Sequence, residues 1–167
     1  MMNLVPGIRL AKPTDVSLIL SFIQRKAEFD RKIGAFSGEL GVSEAKLFKS
    51  LFGAVPLAYV LLGENQGRDV GFALYGFRYS SFAGRPSLWL DDLYVDQAAR
   101  NQGIGTALMQ CLAHIAWDYE CTHLGWTADA RNAWGLKFYH RLGAEITEQY
   151  GNRCVFRWIP VPLLSEL

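Results

Sequence analysis

The sequence predicts a mixed α/β (α+β) fold, in which about four helices flank one central, mostly antiparallel sheet of roughly six or seven strands. Three observations predict it. Stretches with strand-like and helix-like hydrophobic periodicity follow one another in the order β, α, α, three strands, α, β, α, two strands. Short turns join the three middle strands, which favours antiparallel pairing. No linker, repeat or low-complexity segment divides residues 1–167, so a single domain is expected.

In the first half, one strand and two helices precede the three consecutive strands. Apolar residues recur at helical spacing from Val16 to Ala27, and Thr14 is a candidate N-cap, so the first helix should run to about Asp30. Ser43 precedes the second helix. Apolar runs bounded by turn residues predict strands at residues 8–11, 57–63, 70–78 and 88–95.

In the second half, two helices and three strands are predicted. One apolar helical face runs from Ile104 to Ile115. A further helix should cover about residues 132–142, with Gly143 placed to end it. Strands are predicted near residues 123–127, 145–148 and 153–158.

Composition and charge argue against some classes of function. The chain has 167 residues, of which 50% are hydrophobic and 20% are charged, a balance typical of a globular protein. Lys and Arg number 17 against 16 Asp and Glu, and no run of like charge occurs. Proteins that bind nucleic acids or membrane surfaces usually carry a concentrated basic face, so neither kind of partner is expected.

The cysteines and the N-terminus favour a cytoplasmic protein. Cys111, Cys121 and Cys154 are odd in number and lack paired spacing, which indicates free thiols in a reducing compartment. The first residues lack the apolar core of a signal peptide, and no stretch approaches the length of a transmembrane helix. No metal site is expected, because no metal-ligand spacing links the three histidines.

Two glycines, Gly103 and Gly105, lie between a predicted strand and a predicted helix. Such a turn can present backbone amides to an anion at the positive end of the helix dipole. A Rossmann turn would need a third glycine where Leu108 stands, and a P-loop would need a lysine where Thr106 stands. Taken alone, the two glycines fit either an anion site or a tight turn without a ligand.

Two motifs together give the chain a family resemblance. Residues 100–105 read Arg-x-x-Gly-x-Gly, and residues 132–139 read Asn-Ala-Trp-Gly-Leu-Lys-Phe-Tyr, about 30 residues later with a strand between. In this order the motifs resemble those of the GNAT superfamily of acetyl-CoA-dependent N-acetyltransferases, from residue 8 to about residue 156. The resemblance implies the GNAT fold, a twisted sheet splayed between strands 4 and 5. It also implies acetyl-CoA as co-substrate, without a metal.

Within that superfamily, the chain is most similar to the spermidine/spermine (diamine) acetyltransferase-like group. Residues 79–95 resemble that group's Tyr-Ser-Thr-Phe and Leu-Glu-Asp-Leu-Tyr-Val segments, although Asp91 stands where the group has glutamate. Ala130 and Arg131 replace an acid and a tryptophan. The resemblance implies a polyamine, diamine or lysine-like amine as acceptor. It also implies a homodimer, for which the apolar residues 158–164 could form an interface.

The alternative functions are acetylation of a protein or peptide amine, acetylation of an antibiotic, and a non-catalytic acyl-CoA-binding module.

The resemblance also implies which residues form the cofactor site. The backbone at strand 4 would hold the pantetheine arm, and the glycine turn and the later helix would hold the rest of coenzyme A, giving the set Leu93, Tyr94, Val95, Arg100, Asn101, Gln102, Gly103, Ile104, Gly105, Thr106, Asn132, Gly135 and Tyr139.

Amine acetylation also needs an acid and a base. Tyr139 is the candidate general acid, since an unperturbed tyrosine with a pKa of about 10 is protonated at neutral pH. Periodicity alone favours a core tyrosine, and the resemblance supplies the catalytic role. Asp91 is the candidate base. Asp91 and Asp92 are adjacent, so their side chains should point to opposite faces of a regular strand. The alternative is that both are solvated acids without a catalytic role. The predicted substrate-binding set is Phe29, Asp30, Asp91, Asp92 and Trp126.

Overall fold

The computed structural model describes residues 4–160. Residues 161–164 of the predicted interface segment lie outside this range. Within it, seven strands and four α-helices occur in the predicted order: β1 (Ile8–Leu10), α1 (Val16–Lys32), α2 (Glu44–Phe52), β2 (Tyr59–Asn65), β3 (Arg68–Ser80), β4 (Arg85–Val95), α3 (Ile104–Asp118), β5 (Leu124–Asp129), α4 (Ala133–Arg141), β6 (Glu145–Tyr150) and β7 (Arg153–Trp158). None of these helices is long and apolar enough to cross a lipid bilayer.

Local sequence signals explain most of the helix ends. The Ser43 hydroxyl accepts a hydrogen bond from the Lys46 amide at 3.3 Å, so Ser43 caps α2, which begins where predicted. Gly143 follows α4 with a φ of +85°, the left-handed conformation that ends helices. The prediction of Thr14 as the cap of α1 is wrong. A single 3₁₀ turn occupies that position, and the carboxylate of Asp15 accepts the Lys12 amide at 2.7 Å.

The seven strands form one sheet in the order β1-β2-β3-β4-β5-β7-β6. Every pairing is antiparallel except that of β4 with β5, which confirms the predicted, mostly antiparallel sheet. Alternate residues of β2 face two separate clusters of buried side chains. Leu61 faces the cluster built on α3, whereas Val60 and Leu62 face the cluster built on α1 and α2. The helices therefore cover both faces of this half of the sheet.

The sheet opens between β4 and β5. These strands pair only through Leu88 with Leu124 and Trp89 with Gly125, although β4 continues to Val95. Residues 90–95 consequently have no ladder partner on β5 within residues 4–160. The predicted splay between strands 4 and 5 is confirmed, and it leaves one edge of β4 available to a ligand.

A β-bulge interrupts β4 at the same level. Leu74 of β3 pairs with Asp92, whereas the next residue, Tyr75, pairs with Leu90. Asp91 is therefore the extra residue on β4, opposite no partner on β3. Such bulges re-aim side chains and are common beside active sites.

The bulge reverses the alternation of side chains along β4. Leu90 and Leu93 both pack in the α3 cluster, although a regular strand would place them on opposite faces. Asp91 and Asp92 lie between them, and Asp92 contacts Lys26 of α1 on the other face. The prediction that the two aspartates point to opposite faces assumed an unbroken strand, and the bulge at Asp91 removes that basis.

Candidate active site

A cavity of about 570 Å³ occupies the opening between β4 and β5. The end of α1, the start of α3, α4 and β7 complete its wall. Of the residues predicted from sequence, Gln102 and Asp92 do not line it. The others do: Phe29, Asp30, Asp91, Leu93, Tyr94, Val95, Arg100, Asn101, Gly103, Ile104, Gly105, Thr106, Trp126, Asn132, Gly135 and Tyr139.

The glycine turn presents backbone amides to this cavity. Asn101 and Gly103 both have positive φ, +60° and +86°, and Gly103 occupies the N-cap position of α3. Because the cap residue has no side chain, no side-chain acceptor binds the first amides of α3. A Cβ at Gly103 would meet no described atom within 4 Å. The helix N-terminus is thus open to an anionic group.

Glycine at position 105 is explained by close packing between two helices rather than by an open helix N-terminus. A Cβ there would lie 3.3 Å from Cζ of Phe138 on α4. Glycine at this position therefore permits the close approach of α3 and α4 on either side of the cavity.

Arg100 ties the glycine turn to α1 and β4. Its Nε donates to the carbonyl of Val95 at 2.9 Å, and its guanidinium lies over the rings of Phe29 and Tyr94, 5.1 and 5.7 Å from their centroids. Phe29, predicted to receive the ammonium of a substrate, instead faces a cation of the protein itself. The side chain of Gln102 turns away and bonds to Ala98.

Asn132 caps α4 at the far wall of the cavity. Its Oδ1 accepts the amide of Gly135 at 3.0 Å. A Cβ at Gly135 would lie 2.6 Å from Nδ2 of Asn132, so a larger residue would displace the capping side chain. Together these two residues fix the first turn of α4.

Lys26 joins two of the predicted acids. Its Nζ lies 2.7 Å from Asp30 Oδ2 and 3.3 Å from Asp92 Oδ1. Burial raises the pKa of Asp92; the Lys26 ammonium opposes this, and the charge of Asp91 adds to it. Burial disfavours the charged form of Lys26, but Asp92 and Asp30 outweigh it, and the pKa of Lys26 is raised. The sequence prediction missed Lys26.

Tyr139 is both a core residue and a residue of the cavity wall. It is 9% exposed, and its ring packs against those of Trp126 and Phe156, 4.9 and 5.2 Å away between centroids. Burial raises the pKa of Tyr139 to about 12; the charge of Lys26 opposes this shift, and nearby carboxylates add to it. The phenol therefore carries its proton at neutral pH and can donate it.

Trp126 lies deeper than the amine-binding role predicted for it. It is 1% exposed and stacks on Phe156, with ring centroids 5.4 Å apart. Its buried Nε1 has no hydrogen-bond partner within residues 4–160. The ring supports Tyr139 by packing against it.

The cavity wall also includes Thr127 of β5 and Arg153 of β7, which the sequence prediction missed. Both lie on strands whose alternation could be read from the sequence. The sequence does not show which face of those strands borders the opening, because that depends on how β4 and β5 separate.

The sequence matches the acetyltransferase (GNAT) family over residues 30–144. It is 35% identical over 156 residues to thialysine N-epsilon-acetyltransferase of Bos taurus, covering 88% of this chain and 89% of that protein. It is 31% identical over 144 residues to spermidine/spermine N(1)-acetyltransferase-like protein 1 of Homo sapiens, covering 82% of this chain but 20% of that protein.

Among solved structures, the fold is similar to that of the PaiA N-acetyltransferase of Thermoplasma acidophilum in complex with coenzyme A. The TM-score is 0.72 at 14% identity, covering 90% of this chain and 96% of that one. This likeness concerns the fold alone. The match over most of the sequence and the identity to the bovine protein show more: the chain belongs to the GNAT family of acetyltransferases.

Proposed function

We propose that this acetyltransferase transfers the acetyl group of acetyl-CoA to a primary amine of a small molecule, by direct attack within a ternary complex. The acceptor class is a polyamine, a diamine or a lysine-like amino acid. The observation that carries the proposal is the cavity between β4 and β5, which gathers the glycine turn, Tyr139 and acidic side chains around one space. The relatives named for thialysine and for spermidine/spermine fit this acceptor class.

The glycine turn and the open edge of β4 fit coenzyme A. The uncapped amides at the start of α3 suit the pyrophosphate, with Arg100 beside them. The backbone at Leu93, Tyr94 and Val95 borders the opening and has no partner on β5 within the described residues, so it suits the pantetheine arm. Acetyl-CoA supplies an activated thioester, and exposed backbone amides can stabilise charge on its carbonyl oxygen.

Tyr139 and Asp91 take the two proton-transfer roles. Tyr139 donates its proton to the departing sulfur, and its pKa of about 12 keeps the phenol protonated at neutral pH until that step. Asp91 lies at the bulge, lines the cavity and is exposed, so it accepts the amine proton through water. Asp92 and Asp30, held by Lys26, supply negative charge that favours a cationic acceptor.

Direct transfer is supported by the positions of the cysteines. All three fall within the described residues, and none lines the cavity. Cys111 and Cys154 are buried, and burial raises the pKa of Cys111, which disfavours its thiolate. No thiol is placed to carry the acetyl group.

The test is thiol release from acetyl-CoA with a panel of acceptors. We expect turnover with lysine, ornithine, putrescine, cadaverine or spermidine, and much slower turnover with peptide amines and an aminoglycoside. Turnover confined to peptides or the aminoglycoside would contradict the proposed acceptor class. Tight binding of acetyl-CoA without turnover of any amine would instead favour a non-catalytic module.

Replacing Lys26 with methionine should move the pH dependence of the reaction. Without the ammonium, the pKa of Asp92 rises further, so Asp92 ionises only at higher pH. We expect the acidic limb of kcat/KM to shift upward by about one pH unit or more. Lys137→Met, on an exposed position of α4, is the control. A Lys26→Met profile that superimposes on that of the wild type would contradict this role for Lys26.

We further propose that residues 1–167 act as a single domain in the cytoplasm and assemble as a homodimer. Exposed apolar side chains support an interface, among them Leu57, which is 74% exposed, and Tyr119, which is 53% exposed. Light scattering tests the assembly, and a monomer at working concentration would contradict it.

A further inference from the structure

We propose that Arg78 and Arg153 form a carboxylate-binding subsite beside the acetyl-transfer cavity. The acceptor would then be a diamino acid, bound by its α-carboxylate and acetylated on its side-chain amine. This inference rests on the proposed acetyl transfer to a small-molecule amine and narrows its acceptor class.

A second cavity, of about 380 Å³, adjoins the first on the sheet. It is lined by Arg78, Trp89, Thr127, Tyr150, Arg153 and Val155. Thr127 and Arg153 line both cavities, so the two spaces share a wall. In the proposed complex, the amine of the acceptor lies at the acetyl-transfer site, and its other end reaches past this shared wall to the second cavity.

The second cavity is basic. Within residues 4–160, neither Arg78 nor Arg153 forms an ion pair, whereas Arg9, Arg25 and Arg131 each contact an aspartate at 2.8 Å or less. Two guanidinium groups without acidic partners at one cavity favour an anionic ligand.

Arg78 is held in place by Trp89. Its guanidinium carbon lies 3.5 Å from the centroid of the indole ring, a cation–π stack. Stacking fixes the plane of the guanidinium but leaves the N–H groups at its edge free, which is the geometry that binds a carboxylate through two hydrogen bonds.

The same positive charge affects the pKa of a neighbouring histidine, His123. Burial lowers the pKa of His123, and the cations of Arg157 and Arg78 lower it further. The field on this face of the sheet therefore favours an anion.

The spacing suits a diamino acid. Trp89 and Asp91 are two residues apart on β4, with the bulge between them, so they lie within about 7 Å of each other along the strand. An extended diamino acid of ornithine or lysine length has a similar separation between its carboxylate and its side-chain amine. The amine then lies near Asp91 while the carboxylate lies near Arg78 and Arg153.

A polyamine fits this arrangement poorly. It carries a cation where the diamino acid carries its carboxylate, and two guanidinium groups repel a cation at that end. The subsite thus selects between acceptors that have the same amine and the same chain length.

The test compares matched acceptors that differ only in the carboxylate: lysine with cadaverine, and ornithine with putrescine. For the wild-type protein we expect kcat/KM to be at least about tenfold higher for each amino acid, as for the loss of a hydrogen bond to a charged group. The product should carry its acetyl group on the side-chain amine, which mass spectrometry of the fragments identifies.

Arg78→Met and Arg153→Met should each lower the ratio of kcat/KM for lysine over cadaverine by about tenfold or more, without raising KM for acetyl-CoA. Both side chains are exposed, so the variants should fold. Arg68→Met, an exposed arginine on the β2–β3 hairpin away from both cavities, is the matched control and should keep the wild-type ratio.

Three results would overturn the subsite. If the wild type turned over cadaverine as fast as lysine or faster, the carboxylate subsite would be contradicted, while the proposed acetyl transfer to small amines would stand. An unchanged ratio in both variants, with a raised KM for acetyl-CoA, would assign the arginines to the cofactor instead. Absence of transfer to any of the four acceptors, with acetyl-CoA bound, would overturn the proposed function and the subsite together.

Discussion

Replacing Tyr139 with phenylalanine is expected to lower kcat by about 100-fold or more, with a much smaller change in KM for acetyl-CoA. The substitution removes the proton donor and keeps the ring that packs on Trp126 and Phe156. Since burial raises the pKa of Tyr139, wild-type kcat should show no alkaline fall at the ordinary tyrosine value of about 10. Steady-state kinetics across pH measure both effects.

Tyr75→Phe is the matched control for this variant. Tyr75 is buried, 1% exposed, and burial raises its pKa as well, but it does not line the cavity. We expect its removal to affect stability modestly and kcat little. Equal effects of the two variants, or an unchanged kcat and pH profile in Tyr139→Phe, would refute the general-acid role.

Replacing Gly103 with valine is expected to raise KM for acetyl-CoA by about tenfold or more, as expected when charge-assisted hydrogen bonds are lost. Gly103 has a φ of +86°, which strains a β-branched residue by about 1–3 kcal/mol. The new side chain would also lie in front of the uncapped amides of α3, where the protein leaves open space. Thermal unfolding and acetyl-CoA titrations separate these two consequences.

Gly67→Val separates backbone strain from ligand contact. Gly67 has a φ of +75°, also has no described atom within 4 Å of an added Cβ, and lies on the β2–β3 hairpin outside the cavity. The Gly67→Val variant should lose about as much stability as Gly103→Val and keep the wild-type KM for acetyl-CoA. If both variants raise KM equally, the anion-binding role of the Gly103 turn is wrong.

The order of the elements could be predicted because the local signals agree with the final fold. Ser43 and Gly143 mark helix ends through cap chemistry that acts within a few residues. The bulge in β4 also left a sequence signal. Leu90 and Leu93 both face one cluster of buried residues, and their spacing of three breaks the alternation of two. Regular alternation was assumed for the adjacent aspartates, and that assumption failed.

The acidic cluster depends on contacts between distant segments. Lys26 looks like a surface lysine paired with Asp30 one helical turn away, a common arrangement on exposed helices. Its place in the cavity wall follows only when the bulge brings Asp92 against α1. Likewise, Arg153 reaches the cavity because β7 pairs with β5 along the splayed opening.

The central claim is that the acetyl group passes directly from the thioester to the amine inside the opening between β4 and β5. Initial rates measured while acetyl-CoA and lysine are varied together test it most directly. The account predicts double-reciprocal lines that intersect, because both substrates must be bound before transfer. Parallel lines, with an acetylated protein detectable by mass spectrometry after acetyl-CoA alone, would show a covalent intermediate and contradict it.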